Sequence, residues 1–125
     1  MTRLSSKTPT ARKSHICDGC NTEIAAGTVY AEYRGVYEGS EYVRRHHVEC
    51  RDAEAELNSI NDLDGEDWMT IAEHYEEAGD ELLADLPPIV ADRLRLWVKR
   101  SEDRSAARLA AARAALSAAT GTGEA

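Results

Sequence analysis

Residues 44–50, "RRHHVEC", put two adjacent histidines just ahead of a cysteine. The meaning of that stretch depends on a second one, "HICDGC", at residues 15–20. Cys17 and Cys20 form Cys-x2-Cys, and His47 and Cys50 form His-x2-Cys after twenty-six intervening residues. Two short-spaced ligand pairs, each chelating from one turn and joined by a hairpin's length of chain, are what a tetrahedral zinc ion requires. The sequence predicts one structural Zn2+ held by Cys17, Cys20, His47 and Cys50.

The histidines are told apart by strand geometry, since neighbours in a strand point to opposite faces. The compact spacing favours His47, because one strand end and the first turn of a helix then supply both ligands. His46, at His-x3-Cys from Cys50, is a sterically open alternative. His15, two residues before Cys17, is a weaker one and reads as an ordinary strand or surface histidine.

The rest of the chain can be read outward from these pairs. "AAGT" (25–28) is a turn, "VYAEYR" (29–34) is rich in β-formers, "YEGS" (37–40) turns again, and "EYVRRHH" (41–47) returns as the second strand of a hairpin. A helix is predicted from about Val48, with Cys50, Ala53, Leu57 and Ile60 on its apolar face and Glu49, Asp52, Glu54 and Glu56 elsewhere. "NDLDG" breaks the chain. A second helix is predicted with Asp64 as N-cap and an apolar stripe of Trp68, Ile71, Ala72 and Tyr75, continued by Leu82, Leu83 and Leu86. Pro87–Pro88 opens a third, lined by Ile89, Val90, Leu94, Trp97 and Val98 and then by Leu109, Ala112 and Leu116.

The predicted organisation is a disordered basic arm (1–13), a zinc-finger module (14–60), an acidic helix with a long C-terminal helix (61–119), and a disordered tail (120–125). The fold class is small α+β: knuckle, β-hairpin and helix, then a mostly α-helical extension. With 125 residues and no phenylalanine, the core is modest and a metal staple is useful. The opening "MTRLSSKTPTARKSH" has basic residues and no apolar stretch, so a signal peptide is not expected. Clustered cysteines then point to metal in a reducing cytoplasm.

Charge is laid out in blocks. Residues 1–50 hold seven Lys/Arg against six Asp/Glu, and residues 51–86 hold one arginine against thirteen acids, a net of −12. Residues 91–113 swing back, with seven basic residues against three acids.

Catalysis is not expected. Three thiolates and one imidazole fill a tetrahedral ion and leave no position for water. A zinc deaminase needs His-x-Glu ahead of Pro-Cys-x2-Cys, whereas "HYE" (His74–Glu76) lies downstream and reads as a polar helix face. The βαβ context of a thioredoxin-like "CDGC" is missing, and no Gly-rich phosphate loop or nucleophile elbow is present.

The ligand pattern is similar to that of poly(ADP-ribose) polymerase type zinc fingers. More closely, residues 11–50 resemble a group of small bacteriophage and prophage zinc-finger proteins: a basic "ARK" lead-in, Cys-x2-Cys, Ile24, Gly27, Tyr30, the Gly35–Val36…Gly39 turn, then the His/Cys pair. The resemblance implies a treble-clef-like finger over about residues 11–60 and carries little about function.

Two functions compete. The first is a non-catalytic zinc protein acting as a protein-binding adaptor or inhibitor, with Asp62, Asp64, Glu66 and Asp67 as partner-binding acids. The second is a nucleic-acid-binding finger, DNA or RNA, using Arg12, Lys13, Arg34, Arg44 and Arg45 as one basic patch with tyrosines for stacking. The third helix has two predicted uses. Its basic face packs onto the acidic second helix within the monomer, or it extends past the core and pairs with a second copy as a homodimer.

Overall fold

The computed structural model describes the backbone of residues 2–123 and the side chains of residues 5–119. It is an α+β fold of five strands and three α-helices: β1 (Thr2–Lys7), β2 (His15–Ile16), β3 (Glu23–Ile24), β4 (Tyr30–Tyr37), β5 (Ser40–His47), α1 (Val48–Ile60), α2 (Ile71–Ala78) and α3 (Pro88–Gly123). Strands β1, β4 and β5 form one antiparallel sheet in that order, and β2 and β3 form a separate two-stranded ribbon.

The hairpin β4–β5 runs in register from Tyr30↔His47 to Tyr37↔Ser40. Its two-residue loop, Glu38–Gly39, has positive φ at both positions (50° and 81°), the geometry whose twist matches the flanking strands. Gly35 does not end β4 as the predicted boundary at Arg34 implied. The Tyr42 ring lies across it, and a Cβ there would sit 2.5 Å from the Tyr42 hydroxyl. A strand glycine marks that kind of close approach.

The N-terminal segment departs from expectation. Residues 2–7, predicted as part of a disordered arm, form β1 and pair with β4, with Lys7 opposite Glu32. The Lys7 ammonium lies 3.5 Å from the Glu32 carboxylate. Farther on, Ala11 is buried and exchanges backbone hydrogen bonds with Thr28 and Gly27, while Tyr30 N–H donates to the Pro9 carbonyl. Strand β4 would otherwise present an open edge, and the arm satisfies it.

Helix α1 begins at Val48 as predicted, but its buried face is Cys50, Ala53, Glu54 and Asn58, with Ile60 exposed. The inward stripe keeps the i, i+3, i+4 spacing and simply includes polar residues. Asp64 does not start the second helix. It precedes a short 3-10 turn (Gly65–Asp67), and α2 begins after Thr70 in a capping box: Glu73 N–H donates to Thr70 Oγ1 (3.1 Å) and Thr70 N–H to Glu73 Oε1 (3.2 Å). A 3-10 segment, Gly79–Asp85, then carries Leu82 inward, with Leu86 just beyond it.

The core lies between the ribbon and the helices: Ile24, Ile71, Val90 and Leu94 are fully buried, joined by Leu82, Leu86 and Ala91. Helix α3 contributes its first turns, and Trp97 meets Tyr75 edge-on at 6.5 Å between ring centroids. No ion pair joins its basic residues to α2 among the described residues. The ion pair that reaches another element from α3 among the described residues is Arg93 to Glu49 on α1, at 3.2 Å. From Glu102 to Ala119 every residue is exposed. The helix continues through Gly123, past the predicted end at 119, and the rest of the predicted tail, Glu124–Ala125, lies outside the described residues. No helix among the described residues is long and apolar enough to cross a membrane.

Candidate metal centre

The ribbon β2–β3 is a knuckle. Asn21 adopts φ of 61°, Asn21 N–H donates to the Cys17 carbonyl, and Cys17 N–H donates to the Thr22 carbonyl. The loop so closed presents Cys17 and Cys20 inward. The second pair comes from the junction of β5 and α1, where His47 is the N-cap position and Cys50 lies in the first helical turn. Asp18 locks the two halves: its backbone N–H donates to the Arg45 carbonyl, and its carboxylate accepts from Arg45 N–H at 2.7 Å.

These elements bring Cys17, Cys20, His47 and Cys50 together, all buried, with their ligand atoms within 4.8 Å of one another. His47 Nδ1 lies 3.5 Å from Cys20 Sγ and 3.7 Å from Cys50 Sγ. His47 Nε2 sits 2.8 Å from the Glu23 carbonyl, which can only accept. That fixes the tautomer: Nε2 carries the proton and Nδ1 offers its lone pair to the sulfurs' centre. No disulfide links the three cysteines.

The groups around the sulfurs are donors. Gly19 N–H and His47 N–H both point at Cys17 Sγ (3.4 Å each), and the Thr22 hydroxyl lies 3.0 Å from Cys20 Sγ. Arg93 Nη1 reaches Cys50 Sγ at 3.6 Å and Glu49 at 3.2 Å. A dication held by three thiolates and a neutral imidazole would retain one negative charge, which Arg93 is placed to offset.

Titration behaviour agrees with a cation site. Hydrogen bonds from Cys17 and Cys50 hold the Cys20 thiol well below its ordinary range, against burial. The Cys17 and Cys20 sulfurs, with burial, push the Cys50 thiol well above it. Burial works against a charged His47, yet the Cys17 and Cys20 sulfurs outweigh it and raise its pKa to about 9. Crowded sulfurs that cannot all ionise unaided, and that draw a proton onto the neighbouring imidazole, will draw a metal ion there instead. The donor set fits a tetrahedral ion and leaves it no further position.

His46 is outside the cluster but has its own partner. Its Nε2 donates to Glu54 Oε2 at 3.0 Å. The Glu54 carboxylate, buried on α1, also accepts from the Trp68 indole (2.8 Å) and the Ile71 amide (3.0 Å). Asn58 continues the network: its amide donates to the Met69 and Glu54 carbonyls, and its Oδ1 accepts from Met69 N–H and His74 Nε2. His74, predicted on a polar face, is therefore buried. Ala72 N–H closes the circuit on the Gly19 carbonyl of the knuckle (2.9 Å). Metal knuckle, hairpin end, α1 and the 68–72 segment form one bonded unit.

Sequence reasoning missed Glu54 and Arg93. Glu54 was recoverable, because it falls four residues after Cys50 on the same helical face. Arg93 lies forty-three residues from Cys50 and carries no local signal. His15 stacks beside Tyr30, 5.4 Å between centroids, and takes no part.

The predicted basic patch is divided by strand alternation. Arg34 and Arg45 lie on the sheet face of Glu32; Arg34 pairs with Glu32 (3.0 Å) and Glu41 (3.4 Å). Arg44 is on the opposite face, its guanidinium 5.5 Å from the Tyr42 ring centroid. Arg12 and Lys13 are exposed in the loop before β2. The acids Asp62, Asp64, Glu66 and Asp67 are all exposed between α1 and α2. They adjoin Trp68, 43% exposed, and Asp62, Asp64, Leu63 and Trp68 border a depression of about 470 Å³.

Fold and site thus define a small α+β protein with a buried cluster of three cysteines and one histidine that can hold a metal ion. Comparison with protein-family models, curated proteins and solved structures finds no match.

Proposed function

We propose that this chain is a non-catalytic zinc protein that binds a basic protein partner on its acidic face, as an adaptor or inhibitor. The observation that carries this is the exposed Trp68, which lines an open depression with Asp62 and Asp64 and follows the exposed Glu66 and Asp67 in sequence. An indole face next to carboxylates suits a guanidinium or ammonium group, which gains both ion pairing and cation–π attraction. Zinc suits the closed thiolate-rich set, and its role is to hold the knuckle against α1 so that Glu54 fixes the Trp68 segment. The likeness of residues 11–60 to phage fingers supports a phage-encoded adaptor.

Two measurements test it. Elemental analysis of the purified protein is expected to give one zinc per chain. Titration with an arginine-rich peptide is expected to show binding that D62N/D64N/E66Q/D67N abolishes. Binding unchanged by those four amides would overturn the acidic-face reading.

One observation favours the second reading, nucleic-acid binding. Tyr33 and Tyr42 lie side by side (centroids 5.8 Å apart) with Arg44 over Tyr42 on one sheet face, a platform on which a base can stack. Binding of labelled single- or double-stranded DNA or RNA that falls steeply with salt and is lost in Arg44→Glu supports it. No binding at low salt removes it.

A further inference from the structure

We infer that metal uptake at the cysteine–histidine centre and docking of a basic partner at Trp68 are coupled, with one buried stripe of α1 as the link. The inference rests on the proposed reading of the acidic face as a docking surface, and it assigns that surface a regulator.

The first observation is the stripe. Cys50, Glu54 and Asn58 are spaced four residues apart, so they lie one above the next on the same side of α1. All three are buried, and one of them is a carboxylate. Each holds a different part of what packs over the helix. Cys50 is one of the four candidate ligands. Glu54 accepts from His46, the Trp68 indole and the Ile71 amide. Asn58 exchanges two hydrogen bonds with Met69 and accepts from His74. Eight residues of helix rise about 12 Å, which carries the stripe from the ligand cluster to the depression that Asn58 and Trp68 both line.

The second observation is that the docking segment has little packing of its own. From Asn61 to Trp68 every residue is exposed except Leu63, which is half-buried. Its place on α1 depends on the Glu54 and Asn58 bonds, including the Leu63 amide on the Asn58 carbonyl (2.8 Å). Just beyond it, the Ala72 amide donates to the Gly19 carbonyl inside the knuckle (2.9 Å). A segment held by a few hydrogen bonds and little burial opens at low cost. It is the element with two states, seated and open.

The third observation is direct contact between knuckle and stripe. Gly19 sits between Cys17 and Cys20, and a Cβ built on it would lie 3.0 Å from the His46 ring and 3.3 Å from a Glu54 oxygen. Glycine there lets the two parts close on each other. An ion that draws Cys17 and Cys20 toward His47 and Cys50 presses the knuckle onto the stripe and seats the docking segment. A partner bound to the seated segment favours the same closed state. Each ligand then raises the affinity for the other by one common factor.

The experiment is zinc retention by the full-length protein against a chromogenic chelator, with and without an oligo-arginine peptide whose own binding is followed by titration. Saturating peptide is expected to raise the chelator concentration needed for half release by about tenfold, and zinc to tighten peptide binding by the same factor. In Glu54→Ala that factor is expected to fall toward one. It is a ratio of affinities within one variant, so weaker binding by itself does not change it. The factor should also vanish in D62N/D64N/E66Q/D67N, which shows that the peptide acts through the acidic face and not on the chelator. Peptide that binds the wild type without shifting zinc retention overturns the inference and leaves the docking surface standing. An undiminished factor in Glu54→Ala overturns it too, because the stripe is then not the link. Peptide that does not bind the zinc-loaded protein removes both the docking surface and the coupling.

Discussion

Residues 15–60 and residues 102–119 are both regular structure, yet they are held in opposite ways. The first region brings distant residues together: four candidate ligands from two turns, and a buried carboxylate that gathers an imidazole, an indole and an amide. The second is exposed throughout and draws on alanine-rich helix propensity and hydrogen bonds four residues apart. The difference implies that one region fails cooperatively when a single atom is changed, and that the other yields by small increments.

The largest effect is expected from the ligands. Cys17→Ser or Cys50→Ser removes one of four candidate ligands; on the proposed zinc reading, where structural zinc binding is worth about 10–16 kcal/mol in apparent energy, residues 14–60 are expected to unfold. Circular dichroism melts of either variant, or of the wild type with chelator, should lose the cooperative transition while the helical signal of residues 102–119 persists. A native-like melt would break the comparison at its root.

Acid should do the same by degrees. The folded site raises the His47 pKa to about 9, so in a metal-free site a proton occupies Nδ1 at any pH below that. A metal ion taken up there would have to displace it along with the thiol protons. Affinity therefore falls as pH falls, and zinc release followed by a chromogenic chelator should increase steadily toward acid.

Glu54→Ala comes next. It strands the Trp68 indole, the His46 imidazole and the Ile71 amide, and a buried donor left unmet costs about 1–3 kcal/mol. An unfolding free energy lowered by about 3 kcal/mol or more, read from denaturant melts, is expected, with the metal site intact. Thr70→Ala, which removes the capping box of α2, should cost only about 1 kcal/mol.

The smallest effect belongs to residues 102–119. Leu109 is half exposed, so Leu109→Ala removes little burial, and the stability of the finger should change by less than about 0.5 kcal/mol. A larger loss would show that this stretch is supported by packing.

The metal centre and hairpin were legible because their signals are local: ligand spacing, a two-residue turn with Glu38–Gly39, and a helix that starts where the ligand pair demands it. The remainder depended on partners far away in sequence. Strand β1 is Ser/Thr-rich and short of β-formers, and it pairs because β4 offers an edge and Glu32 a charge. Thr70 and Glu73 spelled a capping box, yet Asp64 lay nearer the chain break and drew the start of the helix too early. The basic patch failed on a point the strand assignment already contained, since Arg44 and Arg45 must face opposite ways. Glu54 looked like one more acid in an acidic helix, and its role emerges only when Trp68 and His46 arrive beside it.

The indole bond to Glu54 has a practical consequence. The chain has two tryptophans, one fixed by a buried carboxylate next to the knuckle and the other set edge-on to Tyr75 on α3. Each is an optical reporter of a different part of the molecule. Emission from a Trp97→Phe variant will follow the finger as it opens, and emission from Trp68→Phe will follow the helical seam, so the order in which the two parts come apart can be read with light alone.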